Sequence, residues 1–200
     1  VAAGYNWPQI SIHRGGLQSL LLDRVVSAIG EDRLHLGHEL RQVLDRDGRG
    51  VRVRFLDRTT DTETDVRGRL LIACDGIHSA VRRALYPDEG LPRWNGAIMW
   101  RGVADHAPVL DGRTMIMAGH PRVKFVCYPI SDRTATPGQQ VINFIAELRT
   151  DASALSERED WSKPGNLNDF LPAFESFRFD WLDVPGLIRS ANAVWIYPMV

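Results

Sequence analysis

Along the first ninety residues the apolar positions change period several times. Residues 8–13, "PQISIH", alternate apolar and polar as a short strand does, and Leu17, Leu20, Leu21, Val25 and Ile29 then recur at helical spacing until Gly30 stops them. Arg33 to Leu36 suggests another short strand. Residues 39–47 and 50–57 alternate on either side of Asp47-Gly48, a dipeptide that favours a tight hairpin turn. The polar stretch 57–65 reads as a turn. Leu70 to Cys74 is apolar or small throughout, as in a strand covered on both faces, and a short helix over 78–85 ends before Tyr86-Pro87.

From residue 97 the texture changes. Residues 97–105, 114–119, 123–130 and 140–148 are strand-like and separated by Gly, Pro and Asp turns, which predicts an antiparallel sheet. Residues 168–177 and 184–190 suggest short helices, the first capped by Asn168 or Asp169, and 193–200 suggests a last strand. The expected fold class is α/β, passing to α+β in the second part. The boundary falls in residues 90–96, "GLPRWNG", giving one part over 1–92 and another over 93–200.

Composition narrows the partners. A chain of 200 residues with 44% hydrophobic and 24% charged content can bury a core, and a formal net charge of -1 gives no basic footprint for nucleic acid or an anionic membrane. No apolar run approaches the roughly 20 residues that span a bilayer, and the opening residues lack signal-peptide order. A cytoplasmic protein is expected, and the sequence reads as the middle of a longer one. Cys74 and Cys127 both lie in apolar runs and are expected in the core. The histidines show no metal-ligand spacing, so no metal is expected.

The junction "CDGIHSAVRR", Cys74 to Arg83, is the most informative local pattern. A strand that ends on Asp-Gly and opens a helix presents backbone N–H groups and a positive helix end, which suits a phosphate; Gly76 leaves room for the ligand, and Asp75, Ser79 and Arg82 lie close by. The simpler alternative is that Asp75 caps the helix and Gly76 makes the turn. No glycine-rich dinucleotide loop, P-loop or hydrolase nucleophile motif occurs in the sequence.

Taken in order, "HRGGLQSLLLDRV" and "CDGIHSAVRR" resemble two motifs of the class A flavoprotein monooxygenases, the para-hydroxybenzoate hydroxylase-like family. The first is similar to its Arg-x-x-Leu helix, here Arg14 to Leu17. The second is similar to its Asp-Gly fingerprint, with Ala73 where glycine is usual. "MWRGV", "YPI" and "WIYPMV" resemble the substrate-domain sheet of the phenazine-hydroxylating subgroup. The resemblance implies an enzyme that binds FAD, takes hydride from NAD(P)H and hydroxylates a small aromatic, phenazine-like substrate with O2, as a monomer or dimer. It implies FAD contacts from Arg14, Gln18, Leu40, Asp75 and Gly76. The family's N-terminal glycine-rich βαβ unit and later Gly-Asp segment have no counterpart here, so this stretch alone is expected to hold FAD poorly. A related flavin halogenase or reductase, and a non-catalytic ligand- or partner-binding module, are the alternatives.

An aromatic substrate needs an apolar slot with a few polar anchors. Met99, Tyr128 and Tyr197 are the candidates, both tyrosines standing before a proline at a strand end. Ordinary core positions are the competing reading for each. Arg101 is either a carboxylate ligand or an exposed, salt-bridged side chain, and His13 either a proton relay or a strand-end residue satisfied by its neighbours. No catalytic residue is assigned. Residues 151–161 are expected to be a solvated surface segment.

Overall fold

A computed structural model describes residues 4, 6–7, 10–90, 92–150, 160 and 162–199. Contacts divide the chain into two compact units, one formed by residues 1–20 with 93–200, the other by 21–92. Helix α1, Arg14–Ile29, runs through the division.

In the larger unit, strands β4 (Ala97–His106), β5 (Ile116–His120), β6 (Val123–Ser131), β7 (Gln140–Arg149) and β10 (Val194–Pro198) form one antiparallel sheet in the order β10-β4-β7-β6-β5. Alternation gives this sheet two distinct faces. Trp100, Ala104, Phe125, Cys127, Ile142, Phe144, Ala146 and Val194 point one way into the core. There they meet Phe170, Leu171 and Phe174 of the segment 167–174, Leu182 of the short pair β8 (Arg178–Phe179) and β9 (Leu182–Asp183), and Val184, Leu187 and Ile188 of α3 (Val184–Arg189). Trp100 stacks on Phe170 with ring centroids 5.0 Å apart. Within the sheet Gly102, opposite Phe144 of β7, leaves space for that ring: a Cβ there would lie 2.5 Å from Cζ of Phe144.

The expected strands over 97–148 and at 194–198 form much as their alternation predicts. The helix expected over 168–177 is instead two 3-10 turns, Leu167–Asp169 and Leu171–Phe174, with Pro172 in the second turn. The first is capped by Asn166, whose side chain accepts from the Asn168 N–H, rather than by Asn168 or Asp169. Most of the segment 151–161 lies outside the described residues.

In the smaller unit β1 (His38–Asp47), β2 (Gly50–Asp57) and β3 (Thr62–Gly68) make a three-stranded antiparallel sheet, with α2 (Ala80–Leu85) packed on β1. The hairpin expected between β1 and β2 forms, with Gly48 and Arg49 as its two-residue turn. Much of the expected polar turn is instead strand β3. It lies at the sheet edge with no buried face, so no apolar alternation marks it; backbone pairing holds it, helped by the Arg54 guanidinium donating to Asp65 at 2.7 and 3.1 Å.

Three other expected strands are absent. Residues 10–13 form no strand, residues 8 and 9 lying outside the described ones, and the strand expected over 33–36 is absent, Arg33 ending the 3-10 turn Glu31–Arg33. Residues 70–74 pair with no strand, and Leu70 and Ile72 are each 76% exposed. A strand forms only where a neighbour completes its ladder, and the described residues supply none here. Cys74 is accordingly exposed, against the expectation of a core position, whereas Cys127 is buried as expected and burial pushes its thiol up to about 12. The apolar stripe of α1 is also open, Leu17, Leu20, Leu21, Val25 and Ile29 being 40 to 59% exposed.

Candidate functional site

The second face of the large sheet carries Met99, Arg101 and Val103 on β4, Asn143 and Ile145 on β7, Val126 and Tyr128 on β6, and Trp195 and Tyr197 on β10. Its register places Tyr197 opposite Met99, Trp195 opposite Arg101, and Asn143 opposite both Val103 and Tyr128. Residues 12–18, at the start of α1, border this face, and together they enclose a cleft of about 540 Å³. Arg14, Gln18, Arg101, Tyr128, Asn143 and Tyr197 supply its polar lining; Ile12, Val103, Ile130 and Trp195 supply most of the apolar lining. His13 and Gly15 complete the rim. Among the described residues no Asp or Glu lines the cleft.

Four of the residues expected at a site therefore converge: Arg14, Gln18, Tyr128 and Tyr197. Met99 is buried beside Tyr197 and does not line the cleft. Arg101 is not the exposed, salt-bridged residue of the simpler expectation. It is half-buried, its guanidinium carbon lies 5.0 Å from the Tyr197 ring centroid, and it makes no ion pair among the described residues. Burial pushes the Tyr197 hydroxyl above the ordinary phenol range, while the nearby Arg101 charge pulls the other way.

Two buried donor groups in this cleft have no hydrogen-bond partner among the described residues: Nε of Arg101 and Nδ2 of Asn143. Asn143 was not singled out from the sequence. The available signal is its place between Ile142 and Phe144 in an otherwise apolar strand, where a lone amide must find a partner or face a ligand.

The remaining expected residues lie in the smaller unit. Leu40 is half-buried on β1, opposite Phe55. Ser79 is the N-cap of α2, its hydroxyl accepting from the Arg82 N–H at 2.9 Å, and Asp75 supports it: one carboxylate oxygen accepts from the Ser79 hydroxyl at 2.6 Å, the other from the Ala80 and Val81 N–H groups at 2.7 and 3.3 Å. These bonds, that from Ser79 foremost, hold its carboxyl below the usual range. Gly76 has φ +75, a backbone conformation that favours glycine, with open space where a side chain would stand. The turn-making role expected of Gly76 is thus present, whereas the N-cap is Ser79 and Asp75 backs it by accepting from Ser79 and from two first-turn N–H groups.

Residues 17–157 match the family model described as FAD binding domain. The chain belongs to that family. This FAD-binding-domain chain is 38% identical, over its whole length, to the phenazine 1,6-dicarboxylic acid hydroxylase PhzS of Lysobacter antibioticus, of which it spans 49%. Among solved structures it is similar to the flavin-dependent halogenase CmlS, with TM-score 0.62 and 16% identity over 98% of this chain and 34% of that one. It is also similar to the anhydrotetracycline hydroxylase OxyS of Streptomyces rimosus, with TM-score 0.54 and 20% identity over 94% and 32%. At these identities the structural likenesses speak for the fold, a mixed α/β part of an FAD-binding architecture with antiparallel sheets.

Proposed function

We propose that the protein carrying this chain is a cytoplasmic, FAD-dependent aromatic monooxygenase that uses NAD(P)H and O2, acts on a phenazine-like substrate and works as a monomer or dimer. In this reading residues 1–92 belong to its FAD-binding part and residues 93–200 to its substrate-binding part. The convergence of Arg14 and Gln18 with Tyr128 and Tyr197 on one cleft carries the proposal. The name of the 38% identical relative supports the substrate class.

The residues present fit FAD in part. Arg14 offers a planar cation suited to phosphate, and Gln18, one turn further along α1, offers an amide to hydroxyl groups. Gly76 leaves its backbone open to a ligand, and Asp75 keeps that turn in place through its cap bonds; Leu40 contributes backbone groups on β1. Bound FAD supplies hydride acceptance and oxygen activation. The chain's own residues orient the ring and limit water: Trp195, Val103 and Ile130 give the aromatic substrate apolar surface, and the tyrosine hydroxyls give it polar anchors.

The test is to express the complete reading frame and purify the protein. A yellow protein whose NAD(P)H oxidation is stimulated by a phenazine, with one 18O atom from 18O2 in the product, is the expected result. A protein that is colourless and stays so with added FAD overturns the proposal.

A further inference from the structure

We propose that the outer edge of strand β5 pairs with β5 of a second copy of this chain, antiparallel about a two-fold axis at Met117, joining the two five-stranded sheets into a continuous one. This decides between the monomer and the dimer left open above and holds whatever chemistry the cleft performs.

A strand at the edge of a sheet presents unpaired N–H and C=O groups, which folded proteins guard with charged side chains, proline or a covering segment. Two edges of this chain are guarded in that way. The outer edge of β10 is covered by residues 163–165, the Gly165 N–H donating to the Val194 carbonyl at 2.8 Å and the Ile196 N–H to the Lys163 carbonyl at 3.0 Å. The outer edge of β3 carries Glu63, Asp65 and Arg67. Strand β5 ends the large sheet on its other side, and among the described residues no strand pairs with its outer edge.

The residues of this edge suit a copy of themselves. A strand with a charge near its centre sets that charge close to its own image when it pairs about a two-fold axis, so it favours a different chain of opposite sign. Residues 114–120 hold no Asp, Glu, Lys or Arg, in a chain that is 24% charged, and Met117 stands at the centre of this run between Arg113 and Pro121. Pairing about Met117 sets that residue opposite its own copy, Ile116 opposite Ala118, Met115 opposite Gly119 and Thr114 opposite His120. No charge then meets a like charge.

The exposed apolar surface lies at the same edge. Met115 and Met117 are 44% and 64% exposed, and alternation puts both on the open face of the sheet, since Ile116 between them is buried in the core. A two-fold axis perpendicular to the sheet keeps the open faces of both copies on one side, where the methionines of the two copies meet; Gly119 has no side chain to stand against the partner's Met115. So short an edge buries little area, so the association is weak, with a dissociation constant of about 1–100 μM.

The experiment follows the mass of the complete protein by sedimentation velocity over about 1 to 200 μM, the range that brackets this constant. The mass is expected to move from one chain towards two as concentration rises. Met117→Lys sets two ammonium groups face to face and is expected to hold the protein at one chain throughout, with its phenazine-stimulated NAD(P)H oxidation unchanged. In a Cys74→Ser background Met117→Cys is expected to give, on mild oxidation, a disulfide-linked dimer that its parent does not form, so the pairing stays testable if the lysine variant folds poorly. A single-chain mass at every concentration, a dimer that Met117→Lys leaves intact, or a Met117→Cys protein that forms no more covalent dimer than its parent overturns the proposal. A colourless protein overturns the monooxygenase reading alone, since mass and cross-linking are read without the flavin.

Discussion

The guanidinium of Arg101 lies over the ring of Tyr197, 5.0 Å from its centroid, with the two residues on neighbouring strands β4 and β10 of one sheet face. The contact ties the electrostatics of the cleft to the burial of the tyrosine. Tyr197 is 7% exposed, so its charged form is disfavoured, and the cation above it offsets only part of that cost.

Tyr197 should accordingly be a late tyrosine in an alkaline titration followed by tyrosinate absorbance. Its folded value lies above its unfolded one, so the stability it contributes is complete below about pH 10 and is lost as pH rises past that point. Arg101→Met removes the opposing charge and should delay the titration further. A Tyr197→Phe spectrum that still shows the late component would contradict the assignment.

Asp75 gives the opposite dependence. Its folded carboxyl lies below the ordinary value of 3.8, so the stability it contributes is present above that pH and is lost on acidification below it. Asp75→Ala removes the acceptor for Ser79, Ala80 and Val81 and should cost about 1 kcal/mol, as loss of a helix cap does. Amide exchange over 80–85 should accelerate while β6 and β7 keep their protection.

Gly102→Ala tests the packing of the Phe144 ring across the neighbouring strand β4. The added methyl meets Phe144 at 2.5 and 2.6 Å and the Ala193 carbonyl oxygen at 3.2 Å, and Phe144 is completely buried. The expected cost is about 1–3 kcal/mol, seen as a lower denaturant midpoint with unchanged slope. An unchanged midpoint would mean that the core yields more easily than its packing implies.

The two thiols should separate cleanly in the isolated chain. At pH 8 a thiol reagent should modify exposed Cys74 quickly and leave Cys127 unmodified until denaturant is added. Cys74→Ser should abolish the fast phase, and a fast phase persisting in that variant would place Cys127 nearer the surface than described.

How much was legible in the sequence follows from where each element's stabilising partners lie. Strands β4, β6, β7 and β10 have one face in the core, so alternation alone announces them, and the β1–β2 hairpin is signalled by Asp47-Gly48, although the turn itself falls one residue later on Gly48 and Arg49. The strand expected at 70–74 fails for the complementary reason: apolar content calls for burial, but a ladder needs a neighbour that no local pattern can provide. Strand β3 shows the reverse case, a polar stretch made into a strand by its pairing with β2.

The sequence by itself determined the alternating strands, the long helix α1, the acid-glycine turn before α2 and the resemblance to flavoprotein monooxygenases. Tertiary structure alone decided that Arg101 and Asn143, 42 positions apart, line one cleft, with Nε of the first and Nδ2 of the second unmet among the described residues, and that Met99 does not line it. Periodicity fixes which side of its own strand a residue takes. Only the register between strands, set by the packing of the whole sheet on its core, fixes which residues it meets there.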